Sequence, residues 1–397
     1  MKNILLINAE GVQAICLARS LRKQGHRVIG FCNRKMTSGY ATRWLTEKHI
    51  SPDIVSHTEE FRKCLYAYLC ENRIDLIIPL ADDGAEFLSR HKEEIQVEFS
   101  VKCAIPSFDI FNVANDKQKL MELCEQYALS HPRTREVNCE NIKDVADYIG
   151  FPAMIKPNLS QGAKGIMYVK DIQELQDKLP TVQQQFGACT LQQYVEQPDY
   201  YYNVMLYRDK QGRMDNYTII QIRRFFPLKG GSSCYCETIE HDYLLNQCKQ
   251  VLEKLNWYGF ADFDILEDVR THELKIIEIN PRVPSSFQAA FAANVDFGKV
   301  FIADEFDEPM PKFQYETGKQ VRWMGLDVMW FIFSNKRFSF KPSWFKFFGK
   351  NVSYHDGAWN DPLPMFAGML AGVVKYISKD QENENSLENQ SLKNNYI

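Results

Sequence analysis

Glu278, Asn280 and Arg282 put a carboxylate, an amide and a guanidinium within five positions of one another. Residues 274–280 read Leu-Lys-Ile-Ile-Glu-Ile-Asn, an alternation of apolar and polar side chains that signals a strand. Two-residue spacing sets Glu278 and Asn280 on one face, about 7 Å apart. Pro281 ends the ladder and Arg282 follows at its exit. Such a set suits a hard cation carrying a polyphosphate. A solvated polar face on an edge strand is the other reading of this run by itself. Upstream, residues 259–265 (Gly-Phe-Ala-Asp-Phe-Asp-Ile) form a second alternating strand with Asp262 and Asp264 on one face. Joined by the polar connection 267–273, the two strands read as a hairpin. On it Asp262, Glu278 and Asn280 would converge on one or two Mg2+ ions.

Lys156 is the one charge in the apolar run 151–157, Phe-Pro-Ala-Met-Ile-Lys-Pro. A buried unpaired ammonium is costly, so Lys156 must meet an anion: a core Asp or Glu, or a nucleotide phosphate. The loop after it, 158–165, carries Ser160, Gly162 and Gly165 and leads into a strand over 166–170. A strand, a Gly/Ser loop and an antiparallel strand make a lid that can lay backbone N–H groups over phosphates. It is not a Walker A loop, because the G-x-x-x-x-G-K-[ST] pattern and the following helix are both missing. Lys117 stands at the start of a helix over 119–127 that Asn115 or Asp116 can cap. Arg223 and Arg224 close a strand over 219–224. Paired arginines suit a bidentate carboxylate or a transferring phosphoryl group, and a solvated strand end is the alternative.

The elements that must hold these residues follow a simple plan. Residues 1–113 alternate strand and helix (strands at 3–8, 27–31 and 75–79, helices at 11–24 and 59–70), which argues for a parallel sheet. The turn after the first strand holds one glycine, Gly11, where the dinucleotide fingerprint needs three, so NAD binding is not signalled. Asp82, Asp83 and Glu86 read first as a solvated helix start, with substrate ligands at the strand ends as the alternative. The loop 229–233 is flexible, and 243–255 is an amphipathic helix. Residues 328–355 hold ten aromatics and five Lys/Arg with no acid. Packing against the rest of the chain or a second subunit is the first reading of that stretch, and an interfacial membrane contact the second. Residues 364–377 are apolar but too short to span a bilayer, and 379–397 read as a disordered tail.

Composition sets the class. The 397 residues suffice for two or three domains, and 45% hydrophobic with 25% charged residues is ordinary for a soluble globular protein. A net charge of −4 implies no general nucleic-acid partner. Eleven cysteines without a pairing framework, and no signal peptide, point to the cytoplasm. Cys234 and Cys236 are the one close pair, too little for a metal site by themselves.

Taken in order, Asn115-Asp116-Lys117, Lys156-Pro157 with its Gly loop, Gln192-Gln193-Tyr194-Val195 followed by Asp199-Tyr200, Asp262, and Glu278-Ile-Asn-Pro-Arg282 resemble the ATP-grasp superfamily. The form of the last motif is most similar to the carbamoyl-phosphate synthase large-subunit branch. The resemblance covers about residues 1–300. It implies α/β and α+β architecture: a Rossmann-like leading domain (1–113), a two-lobed ATP-grasp fold (114–305, lobes 114–190 and 191–305) and a C-terminal extension (306–378). It also implies that Lys117, Lys156, Ser160, Gly162 and Gly165 contact phosphates, that Gln193, Tyr194 and Val195 read the adenine edge, and that Asp199 holds the ribose. Gln193 stands where the family has Glu, and Asp199 is one methylene shorter than the commoner residue. Asp262, Glu278 and Asn280 would hold Mg2+, with Mn2+ as the alternative ion, and Arg282 with Arg224 would stabilise the transferring group. The implied activity is ADP-forming ligation of a small-molecule carboxylate to an amine, or a thiol, through an acyl phosphate; a homodimer is an expected assembly. The alternatives are phosphoryl transfer without ligation, or a nucleotide-binding scaffold making a membrane or protein contact through the C-terminal segment. Carbamoyl-phosphate synthase itself does not fit, because this chain carries one such unit and not two.

Overall fold

The structure, a computed structural model, describes residues 1–158, 165–228, 230–358 and 360–371. The chain packs as two units. The first comprises Met1–Ile105, Asp215–Glu240 and Arg282–Ile397, and the second Pro106–Met214 and His241–Pro281. These units cut across the boundaries expected at 113 and 305.

In the first unit, β1 (Asn3–Ile7), β2 (Arg27–Cys32), β3 (Glu47–Ile50), β4 (Leu76–Pro79) and β5 (Lys102–Cys103) form a parallel sheet in the order β3-β2-β1-β4-β5. Ile4, Leu5, Leu6 and Ile7 are fully buried, the continuous apolar run of a strand covered on both faces. This is the expected leading α/β domain. Strand β3, Glu-Lys-His-Ile, escaped the sequence reading because it is polar. It lies at the sheet edge, where charge is favoured, and Glu47 pairs with Arg27 on β2. Asp82 and Asp83 open the helix Asp82–Arg90, but they are not simply solvated. Asp82 accepts from Arg282 at 2.9 Å and Asp83 from Asn8 at 3.1 Å.

A second sheet of this unit begins with β11 (Asn216–Phe226) and β12 (Ser232–Ile239), an antiparallel pair. The C-terminal region extends it: β15 (Gln320–Arg322) pairs antiparallel with β12, and β16 (Val352–Tyr354) parallel with β15. The extension is therefore built into the sheet and not appended to it.

The second unit holds an antiparallel sheet of β6 (Thr134–Val137), β7 (Ala153–Pro157), β8 (Met167–Val169) and β9 (Cys189–Gln193), ordered β6-β9-β7-β8. The helices Ile142–Ile149 and Ile172–Phe186 close a core there around Val137, Ile149, Ile155, Leu175 and Leu191. Its other strands are β10 (Tyr201–Arg208), β13 (Gly259–Glu267) and β14 (Leu274–Asn280), with antiparallel pairing of β10 to β13 and β13 to β14. Among the described residues all eleven cysteines are free thiols, and no helix is long and apolar enough to cross a membrane.

Candidate active site

The hairpin β13–β14 forms as the alternation requires, with one departure that decides its chemistry. Asp262 pairs with Asn280 and Asp264 with Glu278, but Ile265 pairs with Ile276, leaving Ile277 as an extra residue. This bulge reverses the phase of β14. Ile276 turns to the side of the buried Phe263, Ile265 and Ile279, while Glu278 and Asn280 turn to that of Asp262 and Asp264. Without it, Ile276 would share a face with Glu278.

The polar side of the hairpin is an acidic set held by amides. Asn280 Nδ2 lies 3.2 Å from Asp264 Oδ2 and 3.5 Å from Asp262 Oδ2. Asn203 on β10 donates from Nδ2 to Asp264 Oδ1 at 3.0 Å. Directly opposed Asp264 and Glu278 stand with Cβ atoms about 5 Å apart, a like-charge pairing that disfavours the sheet unless a cation offsets it. Among the described residues no three His, Cys, Asp or Glu close into a metal cage. Two carboxylates with an amide oxygen are instead what Mg2+ takes when substrate phosphates and water complete its octahedron. The donor set fits that ion. Sequence reasoning named Asp262 as the first-strand donor and passed over Asp264, which is the residue opposed to Glu278. Asn203 was missed because it comes from a strand 61 residues away from Asp264.

Lys156, on β7, is buried as expected, yet among the described residues no Asp or Glu forms an ion pair with it. Its ammonium donates to Gln192 Oε1 at 2.5 Å, and Gln192 is held in turn by its own donation to Thr134 Oγ1 at 2.9 Å. Burial pushes the Lys156 amine down to about 8, against the pull of Glu278; Lys117 adds to the depression. Lys117 and Glu278 thus both lie within electrostatic reach of Lys156, although the three come from separate elements.

Lys117 is the first residue of the helix Lys117–Gln126 and is also buried. Asp116 caps it, accepting from the N–H groups of Gln118 and Lys119 at 2.9 and 3.1 Å. The helix start is tied to the end of β7, because Lys117 N–H donates to Asn158 O at 3.4 Å and Asn158 Nδ2 to Gln118 Oε1 at 3.1 Å. A helix N-terminus bearing a lysine beside a second buried lysine favours an anion. Gly165 closes the loop after β7 at φ +73°, where an added Cβ would meet Phe186 at 2.7 Å and Pro157 at 2.8 Å, so glycine is needed there on two counts. Ser160 and Gly162 lie outside the described residues.

β9 ends at Gln193, and the chain leaves it through Tyr194 and Val195. Gln193 N–H donates to Arg133 O at 2.8 Å, Tyr194 N–H to Pro152 O at 3.2 Å, and Tyr194 O accepts from Arg270 at 3.3 Å. Gln193 and Tyr194 therefore spend these backbone groups on the protein itself, and Val195 is the buried member of the three. Asp199 is exposed.

The two arginines fare differently. Arg282 belongs to the first packing unit and bonds Asp82 through Nε. Arg224 is neither a solvated strand end nor open to a substrate anion. It is 1% exposed, and its Nε and Nη2 grip both oxygens of the fully buried Asp327 at 2.7 and 2.8 Å. Arg322 binds the same carboxylate at 2.8 and 2.6 Å. Asp327 lies 103 residues downstream of Arg224, so nothing near Arg224 in the sequence signalled its partner. The reading of Arg224 as a ligand of the transferring group is corrected accordingly.

Residues 115–295 match the family model of the carbamoyl-phosphate synthase L chain, ATP binding domain. Over 280 residues the chain is 24% identical to D-aspartate ligase of Enterococcus faecium (strain Aus0004), an alignment covering 65% of this chain and 66% of that one. Over 159 residues it is 26% identical to the carbamoyl phosphate synthase large chain of Vibrio cholerae serotype O1, covering 39% of this chain and 14% of the relative. The chain thus spans less than two-thirds of the length of either. In three dimensions it is similar to the biotin carboxylase domain dimer of the Hydrogenobacter thermophilus 2-oxoglutarate carboxylase in complex with MgADP, ADP and bicarbonate. The TM-score is 0.68 at 16% identity, with 81% of this chain and 73% of that chain covered, a likeness of fold. Motif order, strand pairing and the family match together identify residues 115–295 as an ATP-grasp domain similar to the carbamoyl-phosphate synthase L chain, ATP binding domain.

Proposed function

We propose that the protein is an ATP- and Mg2+-dependent ligase that joins a carboxylic acid to an amine, or a thiol, with release of ADP and phosphate. The observation that carries this reading is Lys156: a buried ammonium whose hydrogen-bond partner is a neutral amide, beside Lys117 and Glu278. A charge left so poorly compensated needs a ligand anion. The hairpin carboxylates supply the opposite need, for a cation, and a metal–nucleotide complex satisfies both at once.

In this reading Lys117 and Lys156 bind phosphate oxygens, and the segment at Val195 reads the base, with Asp199 on the ribose. Asp262, Glu278 and Asn280, with Asp264 opposite Glu278, would hold Mg2+, which would supply charge neutralisation at the phosphates. A carboxylate oxygen of the acid attacks the γ-phosphorus and the bond to the β-phosphate oxygen breaks, so ADP leaves and an acyl phosphate remains. The amine nitrogen then attacks the acyl carbon, the C–O bond to phosphate breaks, and the nitrogen loses a proton. Positioning and charge stabilisation carry the first step more than any general base. Arg282 is the candidate for stabilising the transferring group, and Arg224 has no part in it. The names of the matched relatives, D-aspartate ligase among them, support a carboxylate–amine reaction. A cytoplasmic location belongs to the same reading, supported by eleven free thiols.

Glu278→Ala and Lys156→Ala each abolish ATP-dependent product formation while the circular dichroism of the fold is kept. Turnover near wild type in either variant overturns the site.

A further inference from the structure

The aromatic stretch 330–348 divides into two populations. Trp330, Phe340, Trp344 and Phe347 form the inner one, packed about the clamp. The Arg224 guanidinium lies 5.2 Å from the Trp330 ring and 5.6 Å from that of Phe340; Arg322 lies 5.4 Å from Trp344 and 4.7 Å from Phe347. The clamp also fixes the loop backbone. Arg224 donates to Pro342 O at 3.4 Å, Arg322 to Lys346 O at 3.1 Å, and Trp344 Nε1 to Asp327 O at 3.0 Å.

The outer population points to water. Phe338 is 78% exposed, Phe348 73%, Phe345 56% and Phe333 50%. Phe338 and Phe345 stack at 6.5 Å, and both contact Phe331, at 5.5 and 5.6 Å, so these rings are contiguous and not scattered. Lys336, Lys341, Lys346 and Lys350 are exposed among them, and residues 328–355 contain no Asp or Glu. A protein that packs a loop this firmly, yet turns its phenyl rings outward, has built a docking face.

From this we propose that residues 331–350 form a platform that docks the protein on an anionic lipid surface, with the phenyl rings entering the headgroup boundary and the lysines meeting phosphates. Charge complementarity selects the occupant. Protein interfaces are depleted in lysine, whereas lysine with aromatic rings is the composition of interfacial membrane contacts. A second copy meeting the same face would set five positive charges against five with no acid between them.

The test is co-sedimentation of the full chain with phosphatidylcholine vesicles, with and without about 30 mol% phosphatidylserine. Binding to the phosphatidylserine vesicles is expected, with little to phosphatidylcholine alone and loss as salt approaches 1 M, where the Debye length is about 3 Å. Each substitution among Lys341→Ala, Lys346→Ala and Lys350→Ala lowers the partition about fivefold. Phe338→Ser and Phe348→Ser lower it about tenfold or more each. All five side chains are exposed, so the unfolding midpoint stays at the wild-type value. No preference for phosphatidylserine, binding indifferent to these substitutions, or a platform-dependent dimer in sedimentation velocity each overturns the proposal.

Discussion

Substituting Lys156 by Met tests whether its charge is tolerated for ligand binding and not for folding. Burial holds the amine at about 8, against the ordinary lysine value of about 10.5. Keeping it protonated inside the fold therefore costs about 3 kcal/mol. The sign follows from proton counts. Below pH 8 both folded and unfolded chains carry the proton, and the full cost stands. Between pH 8 and 10.5 the unfolded chain keeps the proton and the native state releases it, so wild-type stability rises with pH across that window. Met removes the titration but leaves Gln192 Oε1 without its donor, a loss of about 1–3 kcal/mol. At pH 7 the two effects nearly cancel. By pH 10 the cost of the wild-type charge has almost gone, so the stability difference between the two proteins shifts by about 2–3 kcal/mol towards wild type. Urea unfolding of both ligand-free proteins at pH 7, 8.5 and 10 reads this directly, and calorimetry with MgADP should show weakened binding in the variant. Parallel stability–pH curves, or nucleotide affinity unchanged by the substitution, would refute the reasoning.

Two further substitutions probe the supports. Asn203→Ala removes one of the two amide donors to the Asp264 carboxylate, the one at Oδ1, and the Mg2+ concentration for half-maximal activity rises about 10–100-fold at constant fold; an unchanged Mg2+ requirement removes Asp264 from the ion site. Asp327→Ala strands two buried guanidinium groups, lowering unfolding free energy by about 3–5 kcal/mol in urea titration. A loss under about 1 kcal/mol there would show the clamp to be dispensable.

Where the chemistry is local, the sequence disclosed it. Lys156 in an apolar run, the capped helix at Lys117 and the parity of Glu278 with Asn280 all follow from neighbours within a few residues. So do the buried strands of the parallel sheet, whose apolar runs are covered on both faces. What stayed hidden depends on distant partners or on a break in period. The bulge at Ile277 leaves only a doubled isoleucine in the sequence, yet it decides which residues share the face of Glu278. Asp264 became the counterpart of Glu278 through register, and Asn203 joined from another strand. Arg224 looked functional because its partner Asp327 lies far downstream, and β15 and β16, three residues each, were too short to announce themselves. The polar edge strand β3 failed an apolar test that edge strands need not meet.

The ligase reading meets its most direct test in ADP release from MgATP by the purified protein, across carboxylic acids crossed with amines. The account predicts ADP only where one acid and one amine are present together, in step with a product containing both. ADP formed at the same rate with an acid alone, accompanied by a stable phosphorylated acid, would contradict ligation and assign the site to phosphoryl transfer.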